Sequence, residues 1–260
     1  MPSRHIPPIV LAFAATDPTS GAGLQADLLT LCALGCHPLG VVTAITIQDT
    51  AGVDATMAID PDWVTDQARL VLEDMPVAAF KIGLLGSVEN IAAVAEVVSD
   101  YPDVPLVLDP VLASGRGDAL ASEAMIEALL ELIVPRATLA TPNSLEARRL
   151  GGEKRLLERG CRYVLVTGTH EPGAEVVNRL FGPNGLVRED RWPRLPGSYH
   201  GSGCTLASAI AAALASGLDV PAAVRDAQEY TWQALSSGFR PGKGQFIPDR
   251  FFRARETESR

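Results

Sequence analysis

Four cysteines in 260 residues, aromatics at only 5% and no long apolar run remove several classes of protein at once. Cys32, Cys36, Cys161 and Cys204 are too few and too scattered for a disulfide framework, and they suit a reducing, cytoplasmic setting. Cys32, Cys36 and the adjacent His37 look like the start of a metal cluster. They fall in or just beyond one apolar helix, however, and no second ligand pair follows, so buried packing is the better reading. The opening MPSRHIPP is short, polar and broken by proline, which predicts no secretory leader. No stretch approaches the roughly 20 apolar residues that span a bilayer. Basic residues are scarce too, 22 against 31 acidic ones, for a formal charge of −9. That balance argues against binding to nucleic acid or an anionic membrane. It does not exclude an anionic ligand, because backbone N–H groups hold phosphate without any help from net charge.

What is abundant is apolar residues, 47% of the chain, and small and branched aliphatics must fill the core where aromatics do not. The length fits a single domain over residues 1–260. Short apolar runs predict strands at 9–14, 40–48, 55–59, 79–82, 106–108, 138–140 and 163–166. Helical periodicity with capping signals predicts helices at 24–34, 60–73, 87–98, 122–133, 144–150, 153–159, 204–215 and 221–236. Residues 176–181 and 186–189, joined by Gly182-Pro183-Asn184-Gly185, read as a hairpin. Strands alternating with helices give an α/β fold with a mostly parallel sheet covered on both faces. Ligands in such folds lie at the carboxyl ends of the strands, where Asp17, Gln48, Asp109, Asn143 and Thr167 all fall.

The phosphate-loop signature of Gly, four residues, then Gly-Lys-Ser/Thr is missing, so a Walker-type nucleotide site is not expected. The segment Gly21-Ala22-Gly23-Leu24-Gln25-Ala26 matches a dinucleotide fingerprint ending in alanine. It follows its strand too late, and Asp17 would repel a pyrophosphate. The segment His200-Gly201-Ser202-Gly203-Cys204-Thr205 opens a long apolar helix. Small residues there let a ligand approach the free N–H groups, with the helix dipole behind them. The bland alternative is a glycine-punctuated helix start over a buried cysteine. The position also predicts a lowered pKa for Cys204. Asn143 and Glu146, spaced i and i+3 after a strand, suit a hydrated Mg²⁺ against phosphate oxygens, and Asp109 supplies a second carboxylate. Those parts are what phosphoryl transfer requires.

The segments ATDPTSGAGLQADL, VTAITIQDTAGV, KIGLLG, VLDPVLASGRG, TPNSLEA, VLVTGTH and HGSGCTLASAIAA, in this order, resemble the ribokinase-like superfamily. More narrowly they are similar to the hydroxymethylpyrimidine/phosphomethylpyrimidine kinases of thiamine biosynthesis. The resemblance implies ATP-dependent phosphorylation of 4-amino-5-hydroxymethyl-2-methylpyrimidine, and in some members of its monophosphate, with ATP and Mg²⁺ and commonly in a homodimer. It implies Cys204 as catalytic base, and Gly201, Ser202 and Gly203 as the anion hole. Gln48 would bind the pyrimidine edge, with Ala22, Thr46, Leu84 and Val111 lining the ring pocket and Asp27 near the substrate. Asn143, Glu146 and Thr167 would face the nucleotide, with Asp109 and Glu146 toward Mg²⁺. Thr167 stands where relatives often carry lysine, and Arg116 is the nearest basic residue of the Asp109 loop. A pyridoxal kinase of the same superfamily is the alternative, distinguished by its ring edge and hence by Gln48. A binding protein that kept the fold and lost the chemistry is the third reading.

Overall fold

The computed structural model describes residues 6–114 and 117–258, so Arg116 lies outside the described residues. Strand β1 (Ile9–Ala14) sits between β2 (His37–Val42) and β5 (Ala79–Ile82), and all three run parallel. Parallel pairing continues through β6 (Leu106–Leu108), β7 (Leu139–Ala140) and β8 (Tyr163–Val166). A hairpin, β9 (Glu175–Gly182) and β10 (Gly185–Pro193), closes the far edge antiparallel. The eight-stranded order is β10-β9-β8-β7-β6-β5-β1-β2.

Buried parallel strands need apolar side chains on both faces, and the two-residue period divides them. Leu11 and Phe13 of β1 join a core with helices α2 (Pro61–Asp74), α3 (Val88–Ser99) and α4 (Glu123–Ala128). Val10 of the same strand points the other way, into a core with α1 (Gly23–Ala33), α7 (Ser202–Ala215) and α8 (Val220–Ser236). Asp60 and Ser87 cap α2 and α3 through their side chains, as the sequence leads one to expect.

Two expectations need correction. The strand anticipated over 40–48 is two strands in two sheets. The chain leaves the main sheet at Thr43, whose hydroxyl donates to Leu84 O at 2.6 Å and whose carbonyl accepts from Asn90. Beyond it, β3 (Ala44–Gln48) pairs antiparallel with β4 (Val53–Ala58) in a separate ribbon. The helix anticipated over 122–133 stays α-helical only to Ala128, then loosens to a π turn at Leu129–Ile133 and a 3₁₀ turn at Val134–Arg136. Pro135, which lacks an N–H and crowds the residue before it, accounts for that ending. The sequence reading also left out α9 (Phe252–Glu258). No helix among the described residues is long and apolar enough to cross a membrane.

Because the strands from β1 to β8 in the parallel run share one direction, their carboxyl ends share one edge. The loops that follow carry Asp17, Leu84, Asp109, Asn143 and Thr167 to that edge. The amino end of α7, which packs across β1, β5 and β6, arrives there as well.

Candidate active site

A cleft of about 530 Å³ runs along this edge. Gly201, Ser202, Gly203 and Cys204 form its middle, Ala22, Thr46, Gln48, Leu84 and Val111 one side, and Asn143, Glu146 and Thr167 the other. Gly201 precedes α7 with φ 79, and a Cβ there would lie 1.9 Å from Gly21 O. Only glycine meets both demands. Thr205 N closes the first helical bond back to Gly201 O at 2.9 Å, so the N–H groups before it have no partner inside the helix. A Cβ on Gly203 would meet Asp109 Oδ1 at 3.7 Å, so no side chain stands between the turn and that carboxylate.

The loop after β1 is folded around Asp17, which is fully buried. Its carboxylate accepts from Thr19 N at 2.8 Å, Ala22 N at 2.7 Å and His200 Nε2 at 2.8 Å. Burial works to raise its pKa, yet His200 and the two backbone N–H groups hold it below the usual carboxylate range. Ala22 is thereby fixed at the cleft wall. Gln48 Nε2 donates to Thr46 Oγ1 at 2.7 Å, and Thr46 in turn donates to Thr16 O at 2.7 Å. One amide N–H of Gln48 is used to orient it, which leaves its carbonyl and second N–H for a ring edge.

Asp27 is not on the cleft wall. It is fully buried beneath it, where it accepts from Lys81 Nζ and Ser208 Oγ, both at 2.8 Å. Lys81 is the group that reaches the cleft floor, 3.9 Å from Asp109 Oδ2, and Gly83 makes room for it, since a Cβ there would lie 2.7 Å from Nζ. Burial opposes the Lys81 charge, but Asp27, Cys204 and Asp109 outweigh it and hold the ammonium above its ordinary range. Burying such ions costs several kcal/mol each before their attraction is counted, so this cluster is a poor device for stability and a good one for chemistry.

Asp109 is nearly buried, and its Oδ2 has no hydrogen-bond partner among the described residues. Burial pushes its pKa up, against the pull of Lys81. Asn143 and Glu146 form a capping box at α5 (Ser144–Arg149). Asn143 Oδ1 accepts from Glu146 N at 3.0 Å, while the Glu146 carboxylate accepts from Asn143 N at 2.9 Å and Leu112 N at 3.3 Å. Burial, with Asp109 adding to it, pushes Glu146 up to about 8. Each Glu146 oxygen thus accepts one backbone N–H, whereas Asp109 Oδ2 accepts none among the described residues.

Cys204 requires the clearest correction. A helix amino end lowers a thiol pKa, but here burial pushes it up to about 12, Asp109 and Asp27 add to the rise, and Lys81 and the Gly23 N–H only partly oppose it. The site therefore holds a thiol. Of the other cysteines thought to pack inside, Cys36 is buried but Cys32 is exposed.

At the far end of the cleft Trp192 and Trp232 stack with centroids 6.3 Å apart. Their indole N–H groups are used internally, by Gln228 Oε1 at 3.2 Å and Pro193 O at 3.0 Å, which leaves flat apolar faces. Sequence reasoning missed this pair, and it missed Lys81. The latter had a signal, a single lysine inside the apolar strand Ala79-Phe80-Lys81-Ile82.

A cleft at the carboxyl edge of a mostly parallel, doubly covered sheet, with a glycine-opened helix start in its lining, is the arrangement of a ribokinase-like small-molecule kinase. Residues 17–249 match the family described as phosphomethylpyrimidine kinase, and the chain belongs to that family. It is 40% identical over 254 residues to the hydroxymethylpyrimidine/phosphomethylpyrimidine kinase of Streptomyces coelicolor, a match covering 92% of each chain. A solved phosphomethylpyrimidine kinase from Clostridium difficile is 34% identical, with a TM-score of 0.77 over 88% of this chain and 99% of that one. The pyridoxal kinase of Bacillus subtilis, solved as an ADP complex, is 26% identical, with a TM-score of 0.87 over 94% and 97%.

Proposed function

We propose that residues 1–260, acting as a single kinase domain, transfer the γ-phosphoryl group of ATP to the hydroxymethyl oxygen of 4-amino-5-hydroxymethyl-2-methylpyrimidine, and then to the resulting monophosphate. Thiamine biosynthesis in the cytoplasm is the setting. The observation that carries this reading is the open amino end of α7 facing Asp109, with Gln48 on one side and the Trp192–Trp232 slot on the other.

Gln48 pairs with the aminopyrimidine edge, and Leu84 and Val111 flank the ring. The N–H groups at Ser202, Gly203 and Cys204 receive the transferring phosphoryl oxygens, where preorganised donors are worth most. Asn143 and Thr167 border the nucleotide side. Mg²⁺ fits here through the open Asp109 Oδ2, because this ion keeps most of its waters and needs only one or two carboxylates beside phosphate. When bound it would neutralise phosphate charge. Glu146 then serves chiefly by fixing Asn143 and the start of α5. The alcohol oxygen attacks phosphorus in line, the bond from phosphorus to the ADP oxygen breaks, and the alcohol proton leaves as the new O–P bond forms. Such a transition state is loose, so positioning and charge supply most of the rate. To take that proton Cys204 must first release its own to solvent, a step that the Lys81 ammonium favours and that burial, Asp109 and Asp27 oppose. Two copies pairing through the β3–β4 ribbon complete the proposal.

A pyridoxal kinase is the second reading, favoured by the likeness to the Bacillus subtilis enzyme. Parallel turnover assays with ATP and Mg²⁺ decide between them. Hydroxymethylpyrimidine is expected to turn over faster than pyridoxal, and Cys204→Ser is expected to lower kcat by roughly 10²–10⁴ with little change in KM. Faster turnover of pyridoxal reverses the ranking, and an unchanged kcat removes Cys204 from its role.

A further inference from the structure

Arg250 lies in the turn before α9, outside every motif that marks the cleft, yet it is only 4% exposed. Its Nη2 donates to Gly21 O at 2.6 Å, its Nη1 to Ser20 O at 3.1 Å and its Nε to Thr205 Oγ1 at 3.1 Å. Its own backbone is anchored, since the Tyr230 hydroxyl donates to Arg250 O at 2.8 Å. One planar side chain thus ties the loop that presents Ala22 to the first turn of α7.

Those two segments are pressed together already. Gly201 abuts Gly21, and a Cβ on Gly21 would lie 2.3 Å from His200 Cδ2. Ser20 between them has φ 59, and among the described residues it is the sole non-glycine in left-handed backbone. Such a conformation persists only where its surroundings over-determine it, and the bond from Arg250 to its carbonyl is part of that constraint.

The charge is the second, independent observation. Among the described residues no carboxylate forms an ion pair with Arg250. Burial disfavours its charge, and Cys204, Tyr230, Asp27 and Asp17 oppose that only through space. A buried cation without a partner is costly, and a cation behind the amino end of a helix also opposes the helix dipole. Among the described residues these distant groups offset the first cost only in part, since burial still lowers the Arg250 pKa. An anion seated on the Gly201–Cys204 turn relieves both.

We propose that Arg250 is a positioning residue for phosphoryl transfer, which locks the substrate loop to the anion-binding turn and places a buried positive charge behind the bound phosphate. The proposal rests on the kinase reading above. Three full-length proteins test it, wild type, Arg250→Lys and Arg250→Gln, with ADP affinity measured by calorimetry, KM and kcat by turnover, and thermal midpoints as a control. Arg250→Gln is expected to weaken ADP binding about tenfold and to lower kcat. Arg250→Lys, which keeps the charge but not the three-way fork, is expected to recover most of the ADP affinity and less of kcat. Wild-type ADP affinity in Arg250→Gln overturns the proposal. So does an equal loss in both variants, or a loss that follows only the thermal midpoint while KM stays fixed. A wild-type protein that neither binds ADP nor turns over speaks against the kinase reading instead.

Discussion

Glu146 is held by two interests that pull against each other. Its carboxylate accepts two backbone N–H bonds, which favour the charged form, yet burial and the nearby Asp109 favour the proton and prevail, lifting it to about 8. An acid whose pKa rises on folding binds more protons in the native than in the unfolded state at pH values between the two. Its contribution to stability is therefore complete below the unfolded value near 4.5 and is lost as pH climbs through about 8. Without Mg²⁺, the thermal midpoint of the wild type is expected to drop between pH 6 and pH 9. In Glu146→Gln, which keeps an acceptor for Asn143 N–H, that drop should be smaller by on the order of 5 °C. Melting curves across that range read the difference directly, and parallel slopes for the two proteins would place the proton elsewhere. Residues 143 and 146 were visible in the sequence because a spacing of i and i+3 after a strand puts both on one helical turn. Which of the carboxylates kept an open oxygen was not visible, since that depends on Leu112 N arriving from another loop. Lys81 and Asp27 show the same limit: they lie 54 positions apart, and only the tertiary fold makes them a pair.

At the scale of elements, the parallel strands and their helices could be read because each satisfies its own local rules, apolar runs for strands and capped amphipathic stretches for helices. The β3–β4 ribbon could not be separated from the main sheet, because its residues have the same β propensity and only Thr43 redirects the chain. How the ribbon is held in place comes from still farther away. Gly244 N donates to Thr50 Oγ1 at 3.1 Å and Gln245 N to Thr50 O at 2.8 Å, which straps the tail across the ribbon's turn. The same strap continues to Phe246, whose carbonyl accepts from His200 N at 2.8 Å beside the glycine turn that opens α7. A Cβ on Gly244 would lie 2.0 Å from Thr50 O, so Gly244→Ala must push the turn outward. Gln48 sits two residues before Thr50 and should lose its alignment. KM for the pyrimidine is expected to rise about tenfold while KM for ATP stays within about twofold. Steady-state kinetics with each substrate varied in turn test this, and equal changes in both constants would mean that the strap serves the whole cleft rather than the ribbon.

On the scale of the whole molecule, the ribbon is turned inside out. Thr46 and Gln48 face the cleft, while Ile45 and Ile47 point outward at 43% and 63% exposure, and Met57, paired opposite Ile45, is 61% exposed. A two-stranded ribbon is marginal alone and ordinarily buries its apolar face against its own domain. Here that face is given to solvent, while the inner one lines the cleft. A second copy presenting the same residues would cover it through a self-complementary, two-fold contact, and would stiffen the strand that carries Gln48. Light scattering at micromolar concentration is expected to give twice the chain mass for the wild type and a single chain mass for Ile47→Asp. The variant should also show a raised KM for the pyrimidine, because its strand loses support on one side. A monomeric wild type, or a dimer that survives Ile47→Asp, would leave the ribbon's outer face without this partner and return the stiffening of Gln48 to the Thr50 strap alone.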